Sequence, residues 1–113
     1  MFKVKFQKVK IAAHTYNLIY PYCFKERSDY SGQADHALCE IRIVNHDSCG
    51  NVKPYSNILV TFFHEIIHAI DRAYCMNMLG GDNKEQMTEA LAQGLTQVML
   101  DNNLLNREKF DID

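Results

Sequence analysis

Residues 64–68 read His-Glu-Ile-Ile-His, and that order of side chains has a specific chemical use. Two histidines four positions apart on an α-helix share a face, one turn from each other. Their imidazoles can converge on one metal ion. Glu65 points about 100° around the helix from His64, toward a water held on the metal rather than toward the metal itself. Catalytic zinc takes three protein ligands and keeps a fourth position open for that water. The ion lowers the pKa of the water toward ~7 and polarises a substrate carbonyl. A neighbouring carboxylate then takes the proton and passes it to the leaving group. With five histidines and six glutamates in the chain, random shuffling produces this pentamer about once in 100 trials. Its setting therefore matters as much as the match.

The pentamer lies inside a long run with helical periodicity. Ser56 or Asn57 is placed to cap a helix. Its apolar stripe is Leu59, Phe62, Phe63, Ile66, Ile70, Ala73 and Tyr74. Gly80-Gly81 is the latest point at which it can end. With His64 at 0°, His68 lies at ~40°, while Leu59, Ile66 and Ile70 fall near ~200–240°. The histidines thus face away from the stripe. Asp82 and Glu85 resemble a capping box at the start of a second helix. That helix is expected to bury Met87, Leu91, Leu95 and Val98 and to fade near Asp101-Asn102-Asn103.

The third ligand must come from another element. Glu85 and Glu89 share one face of the second helix, opposite its apolar stripe. A short turn between the helices implies that they run antiparallel. His68 lies at least ~10 Å before that turn, and Glu89 a comparable distance after it. This spacing favours Glu89 over Glu85, which sits at the helix start. The match improves if the first helix ends near Cys75. Asp71 shares the histidine face, either as a partner orienting an imidazole or as a solvated charge. His14, His36 and His46 lie in or beside loops and read as structural or exposed. Cys75 reads as a buried, inert thiol.

Upstream, the pattern changes to strands. Residues 2–11 alternate, with a phase shift near Gln7-Lys8. After a break at Ala13-His14-Thr15, residues 16–22 complete a hairpin. Residues 25–33 read as a loop. Residues 38–44 form a further strand with Cys39, Ile41 and Ile43 on one face and Glu40 and Arg42 on the other. Residues 45–57 are a loop rich in Asn, Asp, Ser, Gly and Pro, and residues from about 103 read as a polar tail. Strands followed by two helices make an α+β fold in one domain spanning 1–113.

The totals are consistent with one core: 113 residues, 47% hydrophobic and 23% charged, with a net charge of −2. Neither nucleic acid nor a membrane is an expected partner. Lys3, Lys5, Lys8 and Lys10 read as the solvated face of a strand. The opening Met1-Phe2-Lys3-Val4-Lys5 lacks the continuous apolar stretch of an export signal, so the expected location is cytoplasmic. Cys23, Cys39, Cys49 and Cys75 form no Cys-x-x-Cys pair and are expected to be reduced.

The stretch T-F-F-H-E-I-I-H-A-I-D, followed by K-E-Q-M-T-E-A-L-A-Q-G-L-T-Q-V-M-L-D-N, resembles small phage and bacterial metallopeptidases of the ImmA/IrrE-like gluzincin group. With K-I-A-A-H-T-Y, G-Q-A-D-H and I-R-I upstream, the resemblance covers about residues 8–103. It implies a minimal zincin domain in which a small antiparallel or mixed sheet supports the motif helix and a second helix packs beside it. It also implies one zinc per chain held by His64, His68 and Glu89, the glutamate in the group's E-A context at Glu89-Ala90. Glu65 is the implied general base for hydrolysis of a peptide or protein substrate, inside a bacterium or a phage-infected cell. The strand at 38–44 is the implied sheet edge beside the cleft. Tyr30, His36 and Tyr74 are candidates to stabilise the oxyanion. The competing expectations are a zinc-stabilised binding module without turnover and a hydrolase of non-peptide amides.

Overall fold

The structure, a computed structural model, describes residues 2–25, 29–74 and 81–111. The alternating N-terminus forms two strands, β1 (Lys3–Val4) and β2 (Lys8–Ile11), interrupted where the sequence changes phase. Each half has its own partner. β2 turns through Ala12-Ala13 into β3 (His14–Ile19), an antiparallel hairpin with Lys8 opposite Asn17 and Ile11 opposite His14. β1 pairs antiparallel with β6 (Phe110–Asp111), with Lys3 opposite Asp111. The segment with the composition of a polar tail is therefore tied back onto the domain. Leu105 and Phe110 are buried, and the Phe110 ring packs against those of Phe2, Phe6 and Phe62.

The main sheet has the order β2-β3-β5-β4. β5 (Glu40–Ile43) runs parallel to β3 and antiparallel to β4 (Gly32–Asp35). As the alternation requires, Ile41 and Ile43 enter the core while Glu40 and Arg42 stay partly exposed. Two expectations are corrected here. Gly32 and Gln33 open a strand rather than close a loop, and β5 is interior because β4 covers its edge. β4 has little intrinsic strand propensity. It is held by the ladder to β5 and by Arg42, whose guanidinium donates to Gln33 Oε1 at 2.6 Å, to Asp35 Oδ2 at 3.2 Å and to Glu40.

α1 (Tyr55–Tyr74) begins just after Pro54, whose carbonyl accepts hydrogen bonds from the Asn57 and Ile58 amides. The start is thus two or three residues earlier than a Ser56 or Asn57 cap implies. Its expected end by Gly80-Gly81 falls partly outside the described residues, as does Cys75. The buried residues of α1 are Ile58, Leu59, Phe62, Glu65, Ala69 and Asp71, whereas Ile70, Ala73 and Tyr74 are exposed. α1 is covered on two sides, by the sheet and by the second helix, so its buried arc differs from its most apolar arc.

α2 (Lys84–Asp101) follows a 3-10 turn at Gly81–Asn83. It buries Thr88, Ala92 and Thr96, while Met87, Leu91, Leu95 and Val98 are between 41% and 49% exposed. This reverses the expected orientation. Small side chains at a four-residue spacing let two helices approach closely, and that approach brings the acidic face of α2 to the histidines of α1. The expected capping box is not made: the N-cap Asn83 has no side-chain capping bond, and Glu85 reaches across to α1 instead. The result is an α+β fold of two packed helices with small mixed and antiparallel sheets. No described helix is long and apolar enough to cross a membrane.

Candidate metal centre

α1 presents His64 and His68 one turn apart, with their Nε2 atoms 3.0 Å from each other. Glu85 of α2 bridges them. Its Oε2 lies 3.1 Å from His64 Nε2 and its Oε1 lies 3.0 Å from His68 Nε2. These three residues form a group that could hold a metal ion, with ligand atoms all within 4.8 Å of one another. Tetrahedral zinc with bonds of ~2.0–2.2 Å spaces its ligand atoms by roughly 3.3 Å. Both the spacing and the donors, two imidazole nitrogens and a carboxylate, suit that ion.

Glu89, the residue favoured by sequence spacing, touches the other side of the first imidazole. Its Oε1 lies 2.8 Å from His64 Nδ1, and Gln93 donates to its Oε2 at 3.0 Å. A carboxylate in that place accepts the Nδ1 proton and fixes which nitrogen is free to bind metal. The later histidine meets the earlier glutamate, and Asp71 meets Lys84 beyond them at 3.6 Å, so the helices run antiparallel through the site. The four-residue spacing of Glu85 and Glu89 repeats that of His64 and His68, which was the sequence signal for Glu85. The capping-box pattern pointed it elsewhere.

Glu65 is buried on the side of α1 that meets the sheet, yet it lines the cleft. β4 passes close over it at Gly32. A Cβ on Gly32 would stand 2.7 Å from Thr61 Cγ2, 2.9 Å from the Arg42 carbonyl oxygen and 3.3 Å from Glu65 Oε2. Only glycine fits there without displacement. Burial pushes the Glu65 carboxyl up to about 7. His64 and a hydrogen bond from the Ala34 amide oppose the rise, while Glu85 and Glu89 add to it. A carboxyl tuned near neutrality is suited to exchanging protons. Burial also holds His68 below the usual imidazole range, with Glu85 and Asp71 opposing and His64 and Lys84 reinforcing. This favours the neutral, ligating form.

Asp71 is fully buried with Lys84 beside it, which excludes a solvated charge. The histidines open onto a cleft of about 670 Å³ walled by Gly32, Gln33 and Ala34 of β4. Tyr30 and His36 also line it. His36 Nδ1 lies 3.1 Å from the Tyr16 hydroxyl. Tyr74 is not in the lining and is 67% exposed. His14 is exposed on β3, and His46 pairs with Asn45 at 3.1 Å, both away from the cleft. Cys23, Cys39 and Cys49 carry free thiols. No family model, curated protein or solved structure matches the chain.

Proposed function

We propose that this protein is a zinc-dependent peptidase of the minimal zincin kind. One observation carries the reading: two imidazole Nε2 atoms and a carboxylate converge at a cleft wall, directly beside a buried carboxyl whose proton affinity sits near neutrality. His64, His68 and Glu85 hold the metal, and Glu89 orients His64. When bound, zinc supplies a water of lowered pKa and a Lewis acid for the substrate carbonyl. Glu65 accepts a proton at its carboxylate and returns it to the leaving amine. Its amide partner Ala34 and the close pass of Gly32 keep that carboxylate in place. β4 is the sheet's edge strand and borders the cleft, so an extended peptide can pair there through its backbone.

The test is cleavage of a peptide library by the zinc-loaded protein and by its Glu65→Gln variant, with zinc content measured on both. The expected result is one zinc per chain in each protein, with cleavage by the wild type falling by about 10²-fold or more in the variant. A fully loaded wild type that cuts no peptide would leave a zinc-stabilised binding module and end the peptidase reading.

A further inference from the structure

A second cavity, of about 310 Å³, lies beside the cleft. Tyr30 lines both, so it stands on the rim between them. Cys23, Phe24, Val44, His46 and Ser48 also line the second cavity. Its volume is at the small end of the range for ligand sites. That is room for one large side chain rather than for a whole peptide.

The fold sets the walls. The Tyr30 ring meets that of Phe24 edge-on with centroids 5.4 Å apart, and Phe24 meets Tyr22 in the same way at 4.8 Å. The Arg42 guanidinium lies over the Tyr22 ring, 5.7 Å from its centroid. Arg42 also holds β4 through Gln33 and Asp35. One side chain therefore anchors both the row of rings and the edge strand. Val44 is buried. His46 and Ser48 come from the loop of residues 45–53, which has its own order. Asp47 Oδ1 accepts the Cys49 and Asn51 amides, both at 2.9 Å, and His46 bridges to Val52. Walls held in this way are formed before a ligand arrives, which lowers the ordering cost of binding.

The place of the cavity along β4 identifies its occupant. Ser31 continues the pairing with β5 by one residue, because its carbonyl accepts the Val44 amide at 2.9 Å. Tyr30 comes next. It stands two positions before Gly32, where a Cβ would be 3.3 Å from Glu65 Oε2. Strand residues rise about 3.3 Å each, so the rim lies roughly 7 Å along the strand from the Glu65 carboxyl. β4 is the last strand of its sheet. A peptide paired to its outer edge matches it residue for residue, and the residue opposite Tyr30 is two along from the one opposite Gly32. The geometry points to this cavity as a specificity pocket that takes an aromatic side chain of the substrate, two or three residues from the bond to be cut. A ring suits it because the wall is already a row of rings in edge-on contact, which a further ring extends. The inference rests on the reading of the cleft as the site of an extended peptide.

The test measures binding and cleavage separately. Labelled peptides carrying phenylalanine or alanine at each position in turn are bound to the zinc-loaded Glu65→Gln protein and followed by fluorescence anisotropy. The same peptides are offered to the zinc-loaded wild type. Phenylalanine at one position should bind at least about tenfold more tightly than alanine, and that position should lie two or three residues from the cut bond. Added to the Glu65→Gln protein, Ser48→Trp, in the exposed loop, should fill the cavity, and Phe24→Ala should remove its ring wall. Each should reduce the preference below about threefold while leaving zinc content and affinity for the alanine peptide unchanged. Ser48→Trp keeps the test decisive if Phe24→Ala disturbs the fold. A preference that survives Ser48→Trp overturns the proposal. Binding without a phenylalanine preference at any position overturns it, as does the absence of any peptide binding. Failure of the peptidase reading looks different: the wild type cuts nothing, while the phenylalanine preference and its loss in Ser48→Trp remain and support the pocket.

Discussion

Replacing Glu65 by glutamine should make the metal-free protein more stable at neutral pH, although it removes the proposed catalytic base. The carboxyl is pushed to about 7 in the folded protein from an ordinary 4.5. That rise, at 1.36 kcal/mol per unit, corresponds to roughly 3 kcal/mol. The folded state holds this proton more tightly than the unfolded chain does. Below pH 4.5 both states are protonated and the group contributes nothing. As pH rises toward about 7 the folded state keeps the proton longer, so stability falls, and above about 7 the whole penalty is present. Glutamine escapes the penalty and still accepts from the Ala34 amide. Urea denaturation in chelator at about pH 5 and about pH 8 should show the variant ahead by less than about 1 kcal/mol at the lower pH and by roughly 3 kcal/mol at the higher. The difference between the two proteins cancels His36 and His68, whose lowered values act in the opposite sense. Saturating zinc should shrink the gap, because a nearby cation favours the carboxylate. An equal or less stable variant at about pH 8 would refute the argument that desolvation dominates Glu65.

Four further outcomes follow from the geometry. Glu85→Ala should strip zinc from the protein in equilibrium dialysis, while Glu89→Ala should retain it with affinity reduced by about 10–100-fold; the reverse order would exchange the roles of the two carboxylates. Gly32→Ala should lower stability by about 1–3 kcal/mol through overpacking against Thr61 and the Arg42 carbonyl, read from chemical denaturation. It should also slow peptide cleavage by displacing Glu65. Lys84→Met should destabilise the fold by about 2 kcal/mol, since the fully buried Asp71 loses its neighbouring cation while Lys84 itself remains partly solvated. Ala92→Leu should wedge α2 from α1 at a cost of about 1–3 kcal/mol and weaken zinc retention, whereas Leu91→Ala on the outer face should leave zinc retention unchanged.

The parts of this molecule with strong local patterns were legible in the sequence. The β2–β3 hairpin, the burial of Ile41 and Ile43, and two helices after the strands all follow from periodicity. His64, Glu65 and His68 are set by spacing within one helix, where the geometry is rigid. What failed depended on the distance between elements. Hydrophobicity ranks Leu91 and Leu95 above Thr88 and Ala92, but a close helix pair selects small residues for its seam. That choice rotates α2 and presents Glu85 to both imidazoles. β4 was hidden because its residues have little strand character and are organised by Arg42 from the neighbouring strand. Phe110 looked like an isolated apolar position because its ring partners, Phe2 and Phe6, stand at the far end of the chain.

The β1–β6 ribbon makes the chain almost a closed ring. Lys3 and Asp111 are ladder partners, more than 100 positions apart in sequence, and no other ladder pair among the described residues closes a longer loop. The entropy of closing such a loop must be lost before two residue pairs can repay any of it. The ribbon should therefore be the last element to zip during folding and the first to open in the native state, exposing the rings of Phe2 and Phe110 while the helix pair stays intact. Amide exchange should show this as early loss of protection at Lys5, whose amide donates to Lys109, ahead of the α1 amides. Anything fused before Lys3 or after Asp111 leaves the domain from the same spot, and strain applied there acts on its least cooperative seam.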